Sequence, residues 1–94
     1  MSTELKWLPG QDRVLYLRDG EEVALVDFQR TPNELRLVHT EVRPQLRGQG
    51  VDDMMLQELF DSLHDTTQAR VVAVCPHAAR WVDRHPEYLE LAGR

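Results

Sequence analysis

The chain has one cysteine, Cys75, in 94 residues. A lone thiol cannot close an internal disulfide, so a reducing, cytoplasmic setting is the expectation. No apolar run approaches the roughly 18 residues that a membrane-spanning helix needs, so no membrane partner is expected. The opening Met1-Ser2-Thr3-Glu4-Leu5 lacks the positive-then-apolar pattern of a secretory leader. Basic residues number 11 against 16 acidic ones, the formal net charge is −5, and no two basic residues are adjacent. Nucleic-acid binding draws on clustered cations that displace counterions, so it too is not expected. The four histidines, His39, His64, His77 and His85, show neither an i, i+4 pair nor a companion cysteine cluster, so no metal site is predicted.

What remains is a chain of ordinary soluble composition, 41% apolar and 29% charged. Its length suits one domain over residues 1–94 with a thin core, as a monomer or weak homodimer. Residues 1–12, with Pro9-Gly10 among them, read as a loosely ordered lead-in. Residues 13–18, 23–30 and 35–42 are rich in strand formers. They are separated by Asp19-Gly20, a tight-turn signal, and by Thr31-Pro32-Asn33. Short connections favour an antiparallel meander.

Residues 43–50 form a loop, and a helix is predicted over residues 51–65. Its apolar face is Val51, Met55, Leu56, Leu59, Phe60 and Leu63. Residues 70–74 predict a strand parallel to the third one, because a helix carries the chain across. Residues 77–84 predict a second helix, broken at His85-Pro86, with residues 87–92 adding a last turn. The expected fold is therefore α+β, with a mixed, mainly antiparallel sheet in β-β-β-α-β-α order. Trp81, Val82 and Leu89 are expected to pack the last helix on the sheet. His39 alternates with Leu35 and Leu37, which predicts that it shares their inward face.

A strand, a glycine loop and a helix in succession can bind an anion. The first turn of a helix leaves backbone N–H groups unpaired, and glycine lets the backbone approach a phosphate closely. Here the loop carries Arg47, Gly48 and Gly50. The plain alternative is a β-α turn with no ligand.

Four motifs narrow the choice: His39-Thr40-Glu41-Val42, then Leu46-Arg47-Gly48-Gln49-Gly50-Val51, then Cys75-Pro76, then Arg84-His85-Pro86-Glu87-Tyr88. In this order they resemble the small N-acetyltransferase-like family of the GNAT superfamily, whose pyrophosphate loop reads Arg/Gln-x-x-Gly-x-Gly/Ala. The resemblance implies the minimal acyl-CoA N-acyltransferase fold and acetyl transfer from acetyl-CoA to an amine. It implies that Thr40 and Val42 offer backbone groups to the pantetheine arm. Arg47, Gly48, Gln49, Gly50 and Val51 would wrap the pyrophosphate, and His77 would line the other side of coenzyme A. Cys75 would lie near the thioester as a candidate nucleophile, with His39 or His77 as its base. Glu41 is a further candidate base.

One departure stands out. Counting from Arg47, the sixth position wants Gly or Ala, and this chain has Asp52, followed by Asp53; the register that starts at Gln45, Gln45-x-x-Gly48-x-Gly50, also fits the pattern but would move the helix start. At an effective dielectric near 20 and about 6 Å, one carboxylate facing one phosphate charge costs about 3 kcal/mol before salt screening. A third of that weakens binding about fivefold. The acids could instead cap the helix and fill its N–H groups themselves. Two functions follow: an acetyl-CoA-dependent N-acetyltransferase, or a non-catalytic binding or regulatory module with weakened coenzyme A binding.

Overall fold

The computed structural model describes residues 2–66 and 69–88. Among them are strands β1 (Thr3–Leu8), β2 (Arg13–Arg18), β3 (Glu21–Arg30) and β4 (Glu34–Val42), helix α1 (Val51–Thr66), strand β5 (Arg70–Ala73) and helix α2 (Pro76–Asp83). The strands form one sheet in sequence order, antiparallel from β1 to β4 and parallel between β4 and β5. The mixed α+β fold is as expected, with one strand added in front.

That added strand corrects the expectation of a loose lead-in. Thr3–Leu8 pairs along its whole length with β2. Its period-2 pattern turns Leu5 and Trp7 onto the core and leaves Glu4 and Lys6 outside. Trp7 meets Phe28 edge-on with ring centroids 5.6 Å apart. The Pro9-Gly10 break follows the strand, as a single 3-10 turn, and does not dissolve it.

The Asp19-Gly20 turn has the form expected. Both residues have positive φ, 52° and 83°, as a type I′ hairpin turn requires. The α1 face is also as read: the same six residues are buried. They join Val14, Tyr16, Val26, Phe28, Leu35, Leu37 and Val71 of the sheet, and Ala78, Trp81 and Val82 of α2, in one cluster. At fully buried aliphatic positions like these, truncation to alanine costs about 2–5 kcal/mol. Beyond α2, residues 86–88 form a 3-10 turn. Leu89 and the rest of the expected last turn lie outside the described residues.

One carboxylate ties the first two strands to α1. Glu58 accepts a hydrogen bond from Thr3 Oγ1 at 2.8 Å and another from the Tyr16 hydroxyl. Burial, and then the bond to Glu58, push Tyr16 from its ordinary 10 up to about 12. The folded protein thus favours the neutral phenol. That contribution is complete below pH 10 and is lost as pH rises through about 12. Tyr16→Phe is expected to lower stability by about 1–2 kcal/mol at pH 8. Urea unfolding at pH 8 and pH 11 should show the gap between the two proteins closing at the higher pH. Tyr88, also raised to about 12, by its bond to Asp61 and then by burial, is present in both proteins and cancels. A gap that is the same at both pH values would contradict the assignment.

Candidate active site

The site begins where β4 loses a neighbour. Strand β5 pairs with β4 only from Glu34 to Leu37. There the N–H groups of Val74 and Cys75 both donate to the Leu37 carbonyl, at 2.9 Å each. The chain then turns away into α2. Residues 39–42 of β4 therefore have β3 on one side and no strand on the other. An open strand edge presents unpaired backbone donors and acceptors to whatever lies beside it.

A cleft of about 390 Å³ occupies this gap, lined by His39, Thr40, Glu41, Val42, Arg47, Gly48, Asp52 and His77. Seven of the site residues expected from the sequence thus share one wall system. Four others are placed differently. Val51 is buried on the core face of α1, so its backbone alone faces the loop. Gln49 is exposed and its side-chain amide donates to the Gln45 carbonyl at 3.2 Å. Gly50, with φ 78°, precedes the helix, and its carbonyl accepts from Met54 N–H at 3.1 Å. Cys75 is buried, and its Sγ lies 3.6 Å from Thr40 Oγ1.

His39 does not share the inward face of Leu35 and Leu37. In the β3–β4 ladder Phe28 opposes Leu37 and Asp27 opposes His39, so Val38 is an extra residue, a β-bulge. The bulge shifts the alternation by one. Thr40 and Val42 become half-buried, while His39 and Glu41 face outward, with His39 Nε2 3.6 Å from Glu41 Oε2. The side chain that meets the Cys75 sulfur is Thr40, and His39 is engaged with Glu41. The sequence pattern contains no signal for a bulge at valine, which suits either face of a strand equally well.

Cys75 stands at the N-terminal cap of α2. Burial pushes its thiol up. The N–H of Ala78, the Thr40 hydroxyl, and the N–H groups of His77 and Thr40 more than offset this, and the thiol lies below its ordinary range. Such donors favour the thiolate.

The loop and the start of α1 supply the rest. Gly48 and Gly50 both have positive φ, 80° and 78°, a region that other residues adopt with strain. The first helical hydrogen bond comes from Met54, so the N–H groups of Val51, Asp52 and Asp53 lie ahead of the ladder. Neither acid caps them. The Asp52 carboxylate is held by His77 Nε2, and Asp53 Oδ1 lies 3.5 Å from Arg84 Nη2. The partners come from α2 and from the residue that caps its C-terminus. The sequence singled out the two acids, but their partners lie 25 or more positions away along the chain.

Trp81 is not at this cleft. It is fully buried, stacked on Phe60 at 5.2 Å and on His85 at 4.0 Å. No helix among the described residues is long and apolar enough to cross a membrane.

Against known proteins, a family model described as GCN5-related N-acetyl-transferase matches residues 13–91. No curated protein matches the chain. Among solved structures, it is similar to the ribosomal-protein-S18-alanine N-acetyltransferase from Escherichia coli, with a TM-score of 0.61 and 19% identity over 78% of this chain and 50% of that one. It is also similar to a predicted acetyltransferase from Clostridium acetobutylicum, solved with acetyl-CoA, with a TM-score of 0.52 and 13% identity over 78% of this chain and 55% of that one. The chain therefore spans about half the length of these structures, and at such identities the likeness is one of fold.

Proposed function

The chain belongs to the GCN5-related N-acetyl-transferase family, and from that premise we propose that it binds acetyl-CoA in the cleft beside β4 and transfers the acetyl group to an amine. The observation that carries this reading is the parting of β4 and β5 after Leu37, directly beside a glycine loop whose helix start keeps its N–H groups open. A linear arm with amide groups fits an open strand edge, and a pyrophosphate fits open N–H groups beside Arg47.

Bound acetyl-CoA would supply an activated thioester. The residues of the chain do the rest. Backbone groups of Thr40 and Val42 align the arm. Arg47, Gly48 and the N–H groups ahead of the α1 ladder hold the phosphates. Glu41, exposed on the cleft wall and backed by His39, accepts a proton from the attacking amine. Cys75, with its lowered thiol, caps α2 behind Thr40, where it can give a proton to the departing coenzyme A thiolate.

A second reading keeps the fold but not the catalysis, as a binding or regulatory module with weakened cofactor affinity. Its support is Asp52, whose carboxylate lines the cleft. Calorimetric titration with acetyl-CoA tests the first reading. Saturable heat is expected, and at 100 times Kd the ligand should add about 2.7 kcal/mol of stability. Release of free thiol with a panel of primary amines then reports the transfer. No heat at millimolar acetyl-CoA would sink the acyltransferase reading.

A further inference from the structure

Resting on that reading, we infer that His77 is a positioning residue for cofactor binding: its imidazole engages the Asp52 carboxylate, so that helix α2 sets the affinity of the pyrophosphate loop. Asp52 occupies the loop position where the family pattern calls for Gly or Ala. Its carboxylate lines the same cleft as Arg47 and Gly48. His77 Nε2 lies against that carboxylate and is buried with no other polar partner. The contact ties up the oxygen that would otherwise confront phosphate. The pair is only partly exposed, with side-chain accessibilities of 42% for His77 and 24% for Asp52, so water screens it incompletely.

The other charges nearby do not take over this task. Asp53 pairs with Arg84 at 3.5 Å, on an exposed surface where an ion pair contributes little. Arg80 and Asp83 line a separate recess with His77 and Arg84 and do not line the cleft. On the β4 wall, Glu41 is engaged with His39. Asp52 and His77 are therefore a matched couple: an acid that alone would repel the ligand, and an imidazole from a second helix set against it.

The test is a double-mutant cycle read by calorimetry with acetyl-CoA on the full chain: parent, His77→Ala, Asp52→Asn and the double variant, each first shown to be folded by circular dichroism. His77→Ala is expected to weaken binding about fivefold to tenfold in the parent. In the Asp52→Asn background the same change should alter Kd by less than about twofold, because no charge remains to be held. A loss of equal size in both backgrounds would show that His77 acts independently of Asp52, and would overturn the inference while leaving the proposed function standing. Binding by the Asp52→Asn proteins but not by the parent would also overturn it, since His77 would then have failed to hold the carboxylate off the ligand. Absence of binding in all four would remove the acetyl-CoA reading itself and this inference with it.

Discussion

Trp81→Ala is expected to destabilise the protein by about 3–5 kcal/mol, a large share of the roughly 5–15 kcal/mol that holds a typical domain folded. Trp81 is fully buried, and its ring is the centre of an aromatic group. Phe60 of α1 stacks on it at 5.2 Å and 13°, His85 lies against it at 4.0 Å and 17°, and Tyr88 leans on it at 5.2 Å and 36°. His85 is held in turn by a 2.7 Å hydrogen bond between its Nδ1 and the Trp81 carbonyl. Removing the indole leaves a cavity bounded by both helices, and neither can move in without leaving the sheet. Trp81→Phe should cost far less. It keeps most of the stacking and removes an indole N–H that is buried without an acceptor. Denaturant unfolding of the three proteins checks the order. A small effect of alanine would mean that the cluster does not join α2 to α1. Because α2 carries His77, its loosening should also weaken acetyl-CoA binding.

Arg47→Ala is expected to raise the Kd for acetyl-CoA by about tenfold to thirtyfold, as loss of one charge-assisted contact to phosphate at a solvent-accessible site. Arg47 lines the cleft, is exposed, and has no carboxylate partner among the described residues. Its guanidinium is thus available to a ligand without breaking an ion pair. Arg47→Lys should fall between parent and alanine, because an ammonium keeps the charge but not the planar fork. The parent affinity should drop as salt is raised, and the alanine variant should respond less. A change of less than twofold for alanine would place the phosphates elsewhere. The effect of Arg47 is independent of the Asp52–His77 couple if the two contribute additively, which the same titrations can decide.

Local pattern and local chemistry made much of this protein legible. The period of 3.6 in residues 51–63 marked the buried face of α1 without error, because a helix with one solvated side must place its apolar groups on the other. Asp19-Gly20 marked its turn because two successive positive φ values tolerate few other residues. The order of His39-Thr40-Glu41-Val42, Arg47-Gly48-Gln49-Gly50 and Cys75-Pro76 pointed to the family and hence to the sheet. The first strand is written in the alternation of Thr3, Leu5 and Trp7, and the proline-glycine break two residues later bounds it without dissolving it.

Other features depended on contacts between segments distant in sequence. The bulge at Val38 arises from how β3 and β4 match along their length, and it alone turns His39 and Glu41 outward and brings Thr40 to Cys75. The partners of Asp52 and Asp53 depend on where α2 lies against α1, since charge in a sequence has a sign but no neighbour. The chain by itself thus determined the elements and the loop chemistry, which are local. Tertiary packing decided which side chains meet in the cleft, because electrostatic and hydrogen-bond energies depend on distance in space.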